Sequence, residues 1–129
     1  MDQINERKIL VAEDEEDLCY IWQQALEDCG AQVTTTLDGA QAWKLFQEKR
    51  FDLVISDIRM PKMTGIQLLE RIRQQAPDFP VILVSGDMFD GWIATNSNLP
   101  KPDDFLKKPL RPLALVEAAS QVLAKIKAA

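Results

Sequence analysis

Short apolar segments recur along the chain, separated by stretches in which apolar residues return every three or four positions. These segments occupy residues 8–12, 32–36, 53–55, 81–84 and 105–106. Runs of this length are too short for helices, and most are almost uninterrupted by polar residues, as strands buried on both faces of a sheet are. The second segment is predicted from its β-branched residues instead. The pattern predicts five strands.

The stretches between the strands have the apolar spacing of one buried helix face. This spacing predicts helices over residues 15–29 and 115–126, and further helices that begin after Asp38 and Thr64. Asp38 can cap the first turn of its helix, and Thr64 together with Gln67 has the spacing of a capping box. Strands and helices therefore alternate.

The stretch from residue 88 to 102 has the weakest pattern. Apolar residues over 88–93 allow a short helix, whereas Gly91, Pro100 and Pro102 are typical of irregular chain. The pattern favours irregular chain between Gly91 and Pro102 without settling its conformation.

Five strands alternating with five helical segments predict an α/β fold, with a parallel sheet, right-handed crossovers and helices on both faces. Strand order 2-1-3-4-5 is the flavodoxin-like choice among doubly wound sheets. With 129 residues and 47% hydrophobic content, the chain suits a single domain over residues 1–129. In this order the first and third strands are neighbours, and their carboxyl ends meet at the edge where such sheets bind ligands.

Carboxylates follow both of these neighbouring strands. Asp57 ends the third strand, Glu13 and Asp14 follow the first, and Pro61 turns the chain after Asp57 into a loop. Three carboxylates at one edge repel one another, and a hard divalent cation with oxygen ligands relieves that repulsion. Mg²⁺ fits best, because the absence of histidine excludes a typical zinc site.

Composition narrows the possible partners. A net charge of −5 and a pI of about 4.7 argue against direct binding to nucleic acid or anionic membranes. No apolar run approaches the ~18 residues of a membrane span, and the start has no apolar signal segment, so we expect a soluble, cytoplasmic protein. Cys19 and Cys29 are ~15 Å apart if they share a helix, which excludes a disulfide. Any histidine-dependent step must come from a partner.

The segment after the third strand carries a recognisable motif. Asp57, followed at fixed distances by Met60, Pro61, Met63 and Gly65, resembles the phosphoacceptor segment of response-regulator receiver domains in two-component signalling. The resemblance covers nearly the whole chain. It extends to residues at the ends of the other strands, namely Glu13, Asp14, Ser85, Phe105, Lys108 and Pro109.

The resemblance implies a role for each residue at this edge. Asp57 would be the phosphoacceptor, forming an acyl phosphate. Asp14 and Asp57 would bind Mg²⁺ directly together with the backbone carbonyl of Arg59, while Glu13 would act through water. Lys108 would pair with the phosphoryl group.

The resemblance also implies a switch and its partners. Ser85 would hydrogen-bond a phosphoryl oxygen on activation, Phe105 would turn inward, and the face formed by the fourth helix, fifth strand and fifth helix would carry the signal. The donor would be a phosphohistidine on a sensor histidine kinase or histidine phosphotransfer protein, and the recipient a downstream protein. The chain would be a monomer or a phosphorylation-dependent dimer. It would not be an enzyme beyond taking phosphate from a donor and slowly losing it.

Two residues depart from the common pattern, and three other functions compete. Arg59 and Asp87 occupy positions that tune hydrolysis in this family, and their opposite charges predict a pair across the mouth of the site that hinders water. A degenerate receiver, acting as a phosphate-independent interaction module, is the alternative function. A dehalogenase-like phosphatase is disfavoured because Arg59 stands where a second acid is needed. A flavin-binding protein is disfavoured by the acidic loop after the first strand.

Overall fold

Strands and helices alternate throughout the computed structural model of the protein, which describes residues 2–96 and 98–128. The strands are β1 (Lys8–Ala12), β2 (Gln32–Thr36), β3 (Leu53–Asp57), β4 (Val81–Ser85) and β5 (Asp104–Lys107). The helices are α1 (Glu16–Glu27), α2 (Gly39–Glu48), α3 (Gly65–Gln75), α4 (Met88–Asn96) and α5 (Pro112–Ala128). None of the helices in the described part of the chain is long and apolar enough to cross a membrane.

All five strands form one parallel sheet in the order β2-β1-β3-β4-β5, which confirms the predicted flavodoxin-like fold. The register aligns the carboxyl ends of the strands. Ala12 lies opposite Ser56, Asp57 lies opposite Val84, and Ser85 lies opposite Lys107. The residues that follow these positions therefore meet at one edge of the sheet.

The sheet separates two hydrophobic layers. Along β1, Ile9 and Val11 face a layer that includes α1 and α5, whereas Leu10 and Ala12 face a layer that includes α2 and α3. Strands β3 and β4 are buried along their whole length. Because both faces of these strands are covered, each side chain must be apolar or, if polar, must have a hydrogen-bond or ion-pair partner. This is why the strands appear in the sequence as nearly uninterrupted apolar runs.

Caps begin two helices at the predicted residues. The Asp38 side chain accepts a hydrogen bond of 2.6 Å from the backbone N–H of Gln41 and caps α2. Thr64 and Gln67 form a reciprocal capping box at the start of α3. Helix α1 ends two residues earlier than predicted, so Cys29 lies beyond it. Both cysteines are free.

Helix α4 corrects the expectation of irregular chain after Gly91, because residues 91–96 are helical. The physical reason is packing: a Cβ atom on Gly91 would lie 2.9 Å from the Phe105 ring, so glycine lets the helix approach that ring closely. Residues 98–102 belong to no helix or strand, and residue 97 lies outside the described residues. Trp92, on this helix, is exposed to solvent.

Candidate functional site

The end of β3 and the start of α3 touch at the acceptor position. Asp57 is buried, and a Cβ atom on Gly65 would overlap the carbonyl oxygen of Asp57. The Gly65 N–H donates to the carbonyl oxygen of Ile58 at 2.9 Å. Glycine is therefore required at residue 65 for the loop between Ile58 and Thr64 to close against the strand.

Three carboxylates converge beside this loop. One oxygen atom from each of Glu13, Asp14 and Asp57 lies within 4.8 Å of the others. Glu13 is fully buried and accepts a 3.0 Å hydrogen bond from the backbone N–H of Glu15, whereas Asp14 is exposed. The structure thus brings together the acids that follow β1 and the acid that ends β3.

Lys108, just after β5, reaches into this group of acids. Its Nζ atom lies 2.7 Å from Glu13 Oε1 and 3.1 Å from Asp57 Oδ2. Glu15 Oε1 lies 3.5 Å from the same nitrogen, a contact the sequence did not indicate. The ammonium group also lies 5.8 Å from the centre of the buried Trp22 ring. We call Glu13, Asp57 and Lys108 the lysine cluster.

Burial controls the protonation of the lysine cluster. The pKa of Glu13 is raised to about 7, because removal of the side chain from water raises it. The backbone N–H of Glu15 and the ammonium of Lys108 lower the pKa, but by less. Burial also raises the pKa of Asp57, against the stabilising contacts of Lys108. For Lys108, burial alone would lower the pKa, but the ion pair with Glu13 and the hydrogen-bonded pair with Asp57 outweigh burial and raise the pKa. The cluster holds two poorly hydrated carboxylates and one firmly protonated ammonium.

The opposite wall of the cleft carries a second set of charges. Arg59 Nη2 lies 2.8 Å from Asp87 Oδ2. The same guanidinium also binds Asp90 in α4 through two contacts, Nε to Oδ2 at 2.8 Å and Nη2 to Oδ1 at 3.0 Å. These hydrogen bonds with Asp90 raise the pKa of Arg59, which stays charged. We call Arg59, Asp87 and Asp90 the arginine cluster.

Ser85 ends β4 and contacts the arginine cluster. Its hydroxyl donates to Asp90 Oδ2 at 2.8 Å and accepts from the backbone N–H of Asp87 at 3.1 Å. Sequence reasoning missed Asp90 entirely. The only signal was an acid in the first turn of a helix that the pattern barely supports. Its role depends on a contact with a residue 31 positions earlier, which no local pattern encodes.

Phe105 lies behind this wall. The ring is partly buried, contacts Gly91 of α4 and packs against the core layer on the α2 and α3 side of the sheet. Ser85 and Phe105 therefore touch adjacent residues of one helix turn, Asp90 and Gly91.

Members of both clusters line an open cleft of about 510 Å³, while Glu13 and Asp90 lie behind its surface. Its lining residues are Asp14, Glu15, Asp57, Arg59, Ser85, Gly86, Asp87 and Lys108. The acids that could hold a cation offer carboxylate oxygens only, which suits Mg²⁺ rather than zinc. One of these acids, Asp14, is exposed to the cleft, so a hydrated ion has access. The residues present fit a magnesium ion.

The amino-acid sequence is similar to those of known signalling regulators. Residues 9–120 match the family model described as response regulator receiver domain. The response regulator receiver protein CpdR of Brucella abortus (strain 2308) is 34% identical, over 91% of this chain and 97% of CpdR. The alkaline phosphatase synthesis transcriptional regulatory protein PhoP of Bacillus subtilis (strain 168) is 33% identical, over 82% of this chain and 44% of PhoP. The chain spans about half the length of several curated relatives it matches.

Solved structures share the fold. The chemotaxis response regulator CheY4 of Vibrio cholerae superposes with a TM-score of 0.81 at 26% identity, covering 92% of this chain and 99% of that chain. The signal receiver domain of an HD domain-containing protein from Pseudomonas fluorescens Pf-5 gives a TM-score of 0.85 at 31% identity, covering 96% and 91%.

Proposed function

This chain belongs to the response regulator receiver domain family, and from that membership we propose that Asp57 accepts a phosphoryl group and thereby switches the protein. The observation that carries the proposal is the contact of 3.1 Å between Lys108 Nζ and Asp57 Oδ2, within a group of three converging carboxylates. A cation fixed beside a carboxylate nucleophile can offset the charge of an incoming phosphoryl group.

The transfer is an in-line exchange. An ionised oxygen of Asp57 forms the new P–O bond while the P–N bond to the donor histidine breaks, and the donor nitrogen keeps the electron pair and takes up a proton. Lys108 holds Asp57 in place and then pairs with a phosphoryl oxygen. Because burial leaves Asp57 poorly hydrated, its oxygen reaches phosphorus without first losing a full shell of water.

Magnesium would be held by Asp14, Asp57 and the backbone carbonyl of Arg59, with Glu13 acting through water. When bound, the ion neutralises charge on the phosphoryl oxygens during transfer. The support within this chain is the burial of Glu13 and Asp57, since two desolvated carboxylates favour an added cation. Asp14 is the exposed member, and it admits the hydrated ion to the group.

The remaining residues serve the readout and the lifetime of the phosphate. Ser85 binds a phosphoryl oxygen in the activated state, and Phe105 turns inward to report that state to the surface of α4, β5 and α5. Arg59 and Asp87 narrow the mouth of the cleft and slow attack by water. Their contact of 2.8 Å supports this tuning role.

We further propose that the donor is a phosphohistidine on a sensor histidine kinase or a histidine phosphotransfer protein, and that the signal passes to a downstream protein in the cytoplasm. The chain has no histidine of its own to supply that step. We also propose that residues 1–129 form one receiver domain, and the single five-stranded sheet supports this. The switch needs no activity beyond uptake and slow loss of phosphate.

One mass spectrum tests the proposal. The protein is incubated with acetyl phosphate, with and without Mg²⁺, beside an Asp57→Ala control. We expect the mass of one phosphoryl group to be added only to the native protein with Mg²⁺. No addition would instead favour the degenerate receiver, and addition to the Asp57→Ala variant would place the acceptor elsewhere.

A further inference from the structure

The hydroxyl of Ser85 already donates a hydrogen bond within the protein. It has one proton to donate, and that proton goes to Asp90 Oδ2 at 2.8 Å. Ser85 and Asp90 are both buried, at 1% and 4% exposure, so water does not offer an easy alternative partner. A phosphoryl oxygen on Asp57 can receive this hydrogen bond only if Asp90 loses it.

Arg59 is committed to the same carboxylate. Its guanidinium donates hydrogen bonds to both carboxylate oxygens of Asp90. Asp90 Oδ2 thus accepts from both Arg59 and Ser85. Bidentate pairs of this kind are the stronger and more directional class of charged hydrogen bonds. Asp90 ties the loop after β3 and the end of β4 to the first turn of α4.

We propose that Asp90 is a positioning residue that holds Ser85, Arg59 and the first turn of α4 in the form of the protein that lacks phosphate. The inference rests on the proposed phosphorylation of Asp57. A phosphoryl group on Asp57 carries a charge of about −1.5 to −2 and competes with Asp90 for the Ser85 proton and for Arg59. Phosphate shifts the population because it binds these groups only after Asp90 has released them.

Release of Asp90 has a consequence for the helix. Once Ser85 and Arg59 turn to the phosphoryl group, the buried carboxylate loses both of these partners. A buried charge without partners is costly, so the first turn of α4 must move to hydrate it. The next residue, Gly91, lies against the Phe105 ring, and the movement opens the space that holds this ring. Asp90 thereby links the phosphate to the aromatic readout.

Titration with beryllofluoride and Mg²⁺, followed by calorimetry, tests the role of Asp90. Beryllofluoride mimics the phosphoryl group and should select the released state. We expect Asp90→Ala to bind beryllofluoride about tenfold more tightly than the native protein. This factor corresponds to one competing hydrogen bond to a charged group, which the variant no longer has to break. Asp78→Ala removes the same charge from an exposed loop and should change the affinity by less than about twofold.

A double-mutant cycle separates this role from a general effect on folding. Asp90→Ala should improve beryllofluoride affinity in the Ser85→Ala background as well, but the gain should be smaller than in the native background by about threefold or more. The reason is that part of the effect of Asp90 acts through the Ser85 hydroxyl, which this background lacks. Asp90→Asn keeps an oxygen for Ser85 but gives up the charge that holds Arg59, so an intermediate gain is expected. An equal gain from Asp90→Ala in both backgrounds would refute the proposed link to Ser85.

Hydrogen exchange provides a readout without phosphate. The amide protons of Met88–Asn96 should exchange faster in Asp90→Ala than in the native protein, while those of α3 remain unchanged. Native-like exchange in α4 together with native beryllofluoride affinity would overturn this inference alone. If the native protein itself fails to bind beryllofluoride, both the phosphoacceptor proposal and this inference are wrong. The two outcomes therefore distinguish a failure of this inference from a failure of the phosphoacceptor proposal.

Discussion

The two walls of the cleft hold their charges in different ways. In the lysine cluster, the side chains of Glu13, Asp57 and Lys108 are 0%, 5% and 17% exposed. In the arginine cluster, Arg59 is 63% exposed although its partner Asp90 is buried. A buried ion pair is expensive to break because a charge is left without water, whereas an exposed arginine can exchange its partners for solvent.

This difference assigns separate tasks to the two walls. The buried charges of the lysine cluster are costly to separate, which suits a group that must position a nucleophile. Within the arginine cluster, the exposed Arg59 can exchange its partners at low cost, which suits a group that must respond. The cleft therefore combines a fixed wall with a movable one, and each of the following predictions tests one side of that contrast.

The largest effect on stability is expected at the fixed wall. Lys108→Ala leaves Glu13 and Asp57 buried without their cation, so the free energy of unfolding should fall by about 3 kcal/mol. Urea denaturation with EDTA present measures it. Lys107→Ala removes an exposed lysine one residue away and should cost less than about 0.5 kcal/mol. Equal losses in the two variants would show that the lysine cluster is no more fixed than the surface.

The fixed wall should also respond to pH. Glu13 has a pKa of about 7 in the folded protein against a usual 4.5, so the folded state binds more protons between these values. Stability contributed by the protonated side chain is complete below pH 4.5 and is lost as pH rises through 7. Relative to Glu13→Gln, the native protein should lose on the order of 2 kcal/mol over this range.

Denaturant melts of both proteins at several pH values, without metal, provide the check. The comparison with Glu13→Gln cancels the titration of the other acids. A constant difference between the two proteins from pH 4.5 to 7 would mean that the pKa of Glu13 is the same in the folded and unfolded protein.

Magnesium should stabilise the acidic side by a smaller amount. At ten times its dissociation constant, a ligand that binds only the folded state adds about 1.4 kcal/mol. Thermal melts at increasing Mg²⁺ should show this gain in the native protein. Asp14→Asn should remove most of it while leaving the metal-free stability nearly unchanged, because Asp14 is exposed. A gain of equal size in Asp14→Asn would place the ion elsewhere.

The movable wall should affect stability least and phosphate lifetime most. Arg59→Ala removes an exposed cation but leaves the buried Asp90 its hydrogen bond from Ser85, so it should lower the melting temperature less than Lys108→Ala does, which leaves two buried carboxyl groups without their cation. Once phosphorylated, the variant should lose its phosphate faster, by less than about tenfold, since water gains access to the site. Mass spectrometry over time after removal of acetyl phosphate measures this. An unchanged or longer lifetime would refute the tuning role of Arg59 and Asp87.

The movable wall is also the part that sequence analysis described least well. Arg59 and Asp87 stand at fixed distances from motif residues, so a contact between them was foreseeable. Asp90 has no such reference point, because it lies where glycine and proline weaken the helical pattern. Helix α4 forms despite Gly91, since the close contact with Phe105 offsets the low helix propensity of glycine. Propensity is a local property, and this contact is not local.

By itself, the sequence determined the strands, their order, the caps of α2 and α3, and which acids, hydroxyl and lysine stand at the strand ends. Apolar periodicity and capping depend on neighbours a few residues away, so they can be read along the chain. Only the tertiary structure decided that Glu13 is buried against Lys108, and that Asp90 holds Ser85 and Arg59. Burial and charge pairing depend on atoms that are distant in sequence, and these contacts exist only once the sheet has formed.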